Sequence, residues 1–213
     1  MLITFDRLTP YFETKPVTGV LHLGAHNAEE LEGYTSCGIE RIIWVEANTT
    51  LAVNILNRTI NSIGSSMILA AACDEDAKLI ELNIANNGES SSILDFEEHA
   101  IEHPQVQYVG KIQTWAYKVD TMLEKKGYNR KLFNFANIDI QGAELLALKG
   151  MHEQLPHLDY VYLEVNEKHL YKDCALIPEI DSFLEPYGFN RELTEMTKHG
   201  WGDALYVRKN EVK

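Results

Sequence analysis

No apolar run in the 213-residue sequence approaches the roughly 18 residues that a membrane-spanning helix needs. The opening MLITFDRLTPYFETKP has no basic segment followed by an apolar core, so no secretory signal is expected there. Basic residues are scarce: 19 Lys and Arg stand against 32 Asp and Glu, and the net charge of −13 is spread along the whole chain. Binders of nucleic acid or of anionic lipid normally carry a basic patch, and without one neither nucleic acid nor a membrane is an expected partner. Cysteine is rare and odd in number. Cys37, Cys73 and Cys174 share no metal-ligand spacing, and an odd count without a secretory signal points to reduced thiols and a cytoplasmic location. Internal repeats, low-complexity tracts and linkers are missing too, so residues 1–213 read as one domain, with 1–16 as an N-terminal extension.

Six apolar runs do not alternate with polar residues, as expected of strands buried on both faces: 17–25, 41–47, 66–73, 135–140, 160–166 and 203–209. Helix-like stretches lie between most of them, at 27–36, 49–62, 121–127, 143–149 and 177–187. This alternation predicts an α/β fold, with right-handed crossovers and a largely parallel sheet covered by helices on both faces. The last run follows Gly200-Trp201-Gly202 without a helix, so an antiparallel edge or hairpin strand is expected. Residues 76–119 break the rhythm. AKLIELNIAN and QTWAYKVDT alternate like strands, LDFEEHAIEHP reads as a short polar helix, and Asp120 is placed to cap the helix that follows. The segment reads as an insertion inside the domain, near its site.

The first strand runs into LHLGAHNAE, a strand-to-helix turn with one glycine where a dinucleotide fingerprint has three. The bulky His26 leaves little room for a pyrophosphate. Glu46 ends the next strand, where an acid holds ribose hydroxyls. A glycine loop and a ribose acid without the pyrophosphate glycines suit a phosphate-free nucleoside such as S-adenosylmethionine. Further on, Asp139 interrupts the apolar run of NIDIQGAELLALKG, and YVYLEVN ends in Glu164 and Asn166. Two neighbouring strands then bring Asp139 and Glu164 to the carboxyl edge of the sheet, where open α/β sheets bind ligands. Glu144, in the first turn of the following helix, is accounted for by the helix dipole.

GAHNAEE, WVEAN, NIDIQGAELLALKG, LEVNEKHLYKDC and GWGDALYV, in that order, resemble the FkbM-type family of S-adenosylmethionine-dependent methyltransferases. The resemblance runs from about residue 17 to 209. It implies the Rossmann-like class I methyltransferase fold, a seven-stranded mostly parallel sheet whose final strand is antiparallel. It also implies O-methylation of a hydroxyl, typically on a sugar, a glycan or a secondary metabolite. The family's common loop has aspartate where this chain has His22, asparagine at His26 and glycine at Ala28. Lysine and glutamate are common where this chain has Asn137 and Gln141.

On that reading Gly24, Ala25, His26 and Asn27 line the methionine part of the cofactor, and Glu46 with Ala47 holds the ribose. Ser91 and Ser92 of NNGESSS close over the adenine or the acceptor, with a solvated turn as the alternative. Asp139 is the first candidate for orienting or deprotonating the hydroxyl, and Glu164 the second; a placed base typically adds ~10²–10⁴-fold. A divalent cation held by Asp139, Glu144 and Glu164 is conceivable but not expected, since the spacing is no metal signature. Two other classes compete. His99, Glu102 and His103 fit the H-x-x-E-H pattern of zinc hydrolases, although Pro104 disfavours helix at His103. A non-catalytic cofactor-binding module is the third reading, and the intact Glu46 and Asp139 speak against it.

Overall fold

A computed structural model describes residues 1–62 and 64–209. The chain opens with α1 (Phe5–Thr14), β1 (Val20–Leu23), α2 (Leu31–Ser36), β2 (Ile42–Glu46), α3 (Thr49–Thr59) and β3 (Ser65–Leu69). The middle contributes β4 (Ala71–Ala72), β5 (Lys78–Ala85), α4 (His99–Glu102), β6 (Tyr108–Tyr117) and α5 (Val119–Lys125). The remainder is β7 (Phe135–Ile138), α6 (Glu144–Lys149), β8 (Tyr160–Asn166), α7 (Ile177–Leu184), β9 (Phe189–Met196) and β10 (Trp201–Arg208). Seven strands form one sheet in the order β3-β2-β1-β7-β8-β10-β9. All run parallel except β10, which is antiparallel to both of its neighbours.

Every residue of β1, β2, β7 and β8 is buried, because both faces of the sheet are covered. Successive side chains of a strand point to opposite faces. Leu21, Leu23, Ala136, Ile138, Val161 and Leu163 therefore pack with Val119, Met122 and Leu123 of α5, Ala147 and Leu148 of α6, and Ile180 and Leu184 of α7. Val20, Trp44, Phe135, Tyr160 and Tyr162 face the other way, onto Leu8 and Phe12 of α1, Tyr34 of α2 and Ile55 of α3. The segment read as an N-terminal extension thus supplies a helix that covers one face of the sheet.

Four details differ from expectation. The run at 66–73 divides at Ala70: β3 stays in the main sheet, while β4 pairs with β6 in a second sheet of order β4-β6-β5. Of the two placements expected for the last strand, the antiparallel hairpin holds, formed with β9, and the edge does not, since β10 inserts between β9 and β8. β9 itself escapes detection because FNRELTEM, on the sheet edge, buries only its first residue fully. Asp120 does not cap α5. Asp76 instead ties down the residue before the helix and its first turn, accepting from the Lys118 N–H at 3.0 Å and the Thr121 hydroxyl at 2.9 Å. Asp120 turns to the Glu153 and Gln154 N–H groups, at 2.8 and 2.9 Å.

Candidate active site

The turn after β1 is shaped by steric contact between backbones. Gly24 has φ +79°, and a Cβ there would stand 1.8 Å from the carbonyl oxygen of Asp139, so no other residue fits. His26 and Ala28 follow in the left-handed region at φ 45° and 55°, which only glycine enters without cost. Glu46 holds this turn in place. One carboxylate oxygen accepts from the His26 N–H at 2.9 Å and the other from the Asn48 N–H at 2.8 Å. Burial raises the Glu46 carboxyl above its usual range, against the pull of those two bonds.

Glu46 and Ala47 lie on the wall of a narrow slot of about 70 Å³, with Val45, Ala71, Ala72, Ile93 and Ala143 as its apolar sides. Short side chains on facing walls leave room for a flat ring, and a carboxylate stands beside it. A carboxylate beside short apolar walls is the chemistry that the ribose and adenine of S-adenosylmethionine call for. Ser91 and Ser92 also line it, but their hydroxyls are engaged locally. Ser91 donates to the Gly88 carbonyl at 2.8 Å, and Ser92, 1% exposed, donates to the Gln141 carbonyl at 2.7 Å. That burial excludes a solvated turn for Ser92. Asn27 lines neither this slot nor the larger cavity beside it; its side chain accepts from Asn54 of α3 at 3.1 Å.

A second cavity of about 510 Å³ adjoins the slot, sharing Gly24, His26, Glu89, Asp139 and Gln141 with it. Ala25 is on its wall, as is Glu164. Asp139 and Glu164 do meet here, joined by Gln141. The Gln141 amide donates to Asp139 at 2.7 Å and to Glu164 at 2.8 Å, while its carbonyl accepts from the Tyr171 hydroxyl at 2.5 Å. Gln141 holds φ +56° and Gly142 φ +97°, so the β7–α6 turn is bent sharply to aim that amide. Glu144 supports the turn, accepting from the Ile140 and Gly142 N–H groups at 3.0 and 3.1 Å. Its carboxylate is thereby committed to the backbone.

The Asp139 side chain is open to the cavity yet crowded by protein. That desolvation pushes its carboxyl up to about 6, with the Asp203 charge adding to the rise and the Gln141 bond opposing it. Glu164 is raised further, first by burial and then by the charges of Asp139, Glu144 and Asp203.

Several lining groups were not singled out from the sequence. Asp203 of β10 pairs in register with Glu164 and accepts from the Tyr162 hydroxyl and the Leu2 N–H. His22, buried and therefore lowered in pKa, takes Nδ1 to the Tyr34 hydroxyl at 3.0 Å, which accepts in turn from Asn137 at 2.7 Å. An acid inside an apolar run was the available signal for Asp203, as it was for Asp139.

The zinc-hydrolase pattern does not assemble. α4 is a single turn; the His99 ring stacks on Phe96 with centroids 4.2 Å apart, and Glu102 leaves the helix to pair with Lys168 and with His199 at 3.0 Å. Among the described residues, no three His, Cys, Asp or Glu side chains are grouped to hold a metal ion.

The strand order, with its single antiparallel strand, defines the class: a Rossmann-like S-adenosylmethionine-dependent methyltransferase fold. Solved structures share it at low identity. The methyltransferase domain of bacterial CtHen1-C is 8% identical, with 97% of each chain covered and a TM-score of 0.54. PH1948 of Pyrococcus horikoshii, described as a candidate RNA methyltransferase, is 10% identical, with 98% of this chain and 81% of that one covered and a TM-score of 0.53. Magnesium protoporphyrin IX methyltransferase (ChlM) of Synechocystis PCC 6803, solved with S-adenosylmethionine, is 8% identical, with 96% and 78% covered and a TM-score of 0.52. No curated protein sequence matches. The methyltransferase FkbM domain model matches residues 22–191, and the chain belongs to that family, with S-adenosylmethionine as its cofactor.

Proposed function

We propose that this chain is an O-methyltransferase acting on a hydroxyl of a sugar, a glycan or a secondary metabolite. The observation that carries the reading is the junction of the two cavities: Asp139 and Gln141 stand on both walls, where a donor in the slot would meet an acceptor in the larger space. Bound in the slot, S-adenosylmethionine supplies an electrophilic methyl on a sulfonium. Gly24, Ala25 and His26 border its methionine end, Glu46 and Ala47 its ribose, and Ser91 and Ser92 close the slot from the 76–119 segment. Holding oxygen, methyl and sulfur in line can contribute ~7–11 kcal/mol in favourable systems. Asp139 takes the hydroxyl proton as the oxygen–carbon bond forms and the carbon–sulfur pair returns to sulfur. Glu164, fixed by the same Gln141 amide, orients the acceptor beside it.

Residues 1–213 work as one methyltransferase domain on this reading, with 76–119 roofing the acceptor cavity through Glu89, His99 and His103. The surplus of acid disfavours nucleic acid as the acceptor, and the RNA methyltransferase likeness is one of fold. Cys37, Cys73 and Cys174 carry no disulfide, which suits a cytoplasmic enzyme.

The test is calorimetric titration of S-adenosylhomocysteine into the wild type and Glu46→Ala. Loss of a charged hydrogen bond should weaken binding by ~1.5–3 kcal/mol, roughly ten- to over a hundredfold. A folded wild type that does not bind would end the methyltransferase reading.

A further inference from the structure

The larger cavity is unbalanced in charge. Six acidic side chains, Glu29, Glu30, Glu89, Asp139, Glu164 and Asp203, stand on its wall, and no lysine or arginine does among the described residues. The Met1 α-amine, 4.0 Å from Glu30, offsets one of them, and the donor's own net charge offsets another. Aromatic rings share the wall: Tyr171, Tyr162 and Trp201. His99, only 6% exposed, lines the same space, and burial holds its imidazole neutral at a pKa of about 4, so it adds no positive charge there. Carboxylates beside aromatic rings recognise ammonium groups.

We infer that the acceptor is a hydroxyl compound that also carries a protonated amine, such as an amino sugar or an amino polyol, held by this acid-and-aromatic wall. The inference rests on the O-methyltransferase reading and narrows its substrate class. It also accounts for the choice of atom. A nitrogen held as ammonium has no lone pair, so the methyl goes to oxygen: the oxygen–carbon bond forms, the carbon–sulfur pair stays on sulfur, and the hydroxyl proton passes to Asp139. Phosphorylated and carboxylated acceptors meet like charge on this wall with no lysine or arginine to pair with, and are disfavoured.

The test uses full-length protein loaded with S-adenosylhomocysteine and three matched probes: glucosamine, glucose and glucuronate, titrated at pH 7. Glucosamine should bind about tenfold or more tightly than glucose, an advantage that shrinks with added salt, and glucuronate least. Glu30→Gln, which removes one wall charge away from the donor slot, should narrow the gap between glucosamine and glucose. Glucose or glucuronate binding as well as glucosamine would overturn the inference, and so would binding by none of the three. Failure of the unliganded wild type to take up S-adenosylhomocysteine would instead sink the underlying methyltransferase reading.

Discussion

The two faces of the central sheet are built from the same strands and do opposite work. Toward α5, α6 and α7, every side chain from β1, β7 and β8 is aliphatic, and the packing is dry. Toward α1, α2 and α3, the same strands present His22, Asn137, Tyr162 and Glu164, and β10 adds Asp203. Register aligns His22, Asn137 and Tyr162 in one row and sets Glu164 beside Asp203 in the next, and all five line the larger cavity. Both faces thus carry a packed core, but the buried polar groups of the strands stand on only one. Period-2 alternation makes this possible, because a residue one step along the strand belongs to a different environment.

That division is open to attack from either face. The largest expected effect is on catalysis: Asp139→Asn should lower methyl transfer by ~10²–10⁴-fold in single-turnover assays while leaving S-adenosylhomocysteine affinity within a few-fold. In the wild type, methyl transfer should rise with pH through about 6, as Asp139 gives up its proton. A flat profile from pH 5 to 8 would remove Asp139 from the role of base. On the dry face, Leu163→Ala, at a fully buried site, should cost about 2–5 kcal/mol in denaturant unfolding and leave the shape of the pH profile unchanged.

Glu164→Gln should act in the reverse sense on stability. A carboxyl raised in the folded state is protonated there while already ionised in the unfolded chain, so between the two values stability falls as pH rises. The burden is absent below the unfolded value near 4.5 and full above the folded one. The variant should therefore unfold at a higher temperature than the wild type at pH 8, with the gap closing toward pH 4. An unchanged gap across that range would show that Glu164 is not raised. The smallest effect is expected at Ala28, where left-handed strain and a buried methyl oppose one another. Ala28→Gly should shift stability by less than about 0.5 kcal/mol by the same unfolding measurement.

Apolar runs and the glycine after β1 made most of the sheet legible in the sequence, including the parallel core and its antiparallel partner. β9 was hidden because an edge strand can be polar on both faces, and α1 because a short helix with Pro10 inside it looks like an extension. The acids of the candidate site stood out in the sequence where a charge broke an apolar run, as at Asp139, or ended one, as at Glu46 and Glu164. Their hydrogen-bond network did not. Gln141 is polar within a turn and indistinguishable there from a solvated residue; only the fold shows its amide bridging two strands. Asp203 reaches the site because β10 inserts inside the sheet, a pairing that no local pattern encodes.

Gly24 sits so close to the Asp139 carbonyl that no side chain intervenes between the donor turn and the strand bearing the acid. Their separation is set by atoms that have no rotamers. On the proposed reading the distance from the donor turn to Asp139 is therefore fixed by main-chain contact, while residues 76–119 reach the larger cavity only through side chains such as Asn87, Glu89, Ser90, His99 and His103. Substitutions in that segment should change which acceptor binds before they change the reacting distance.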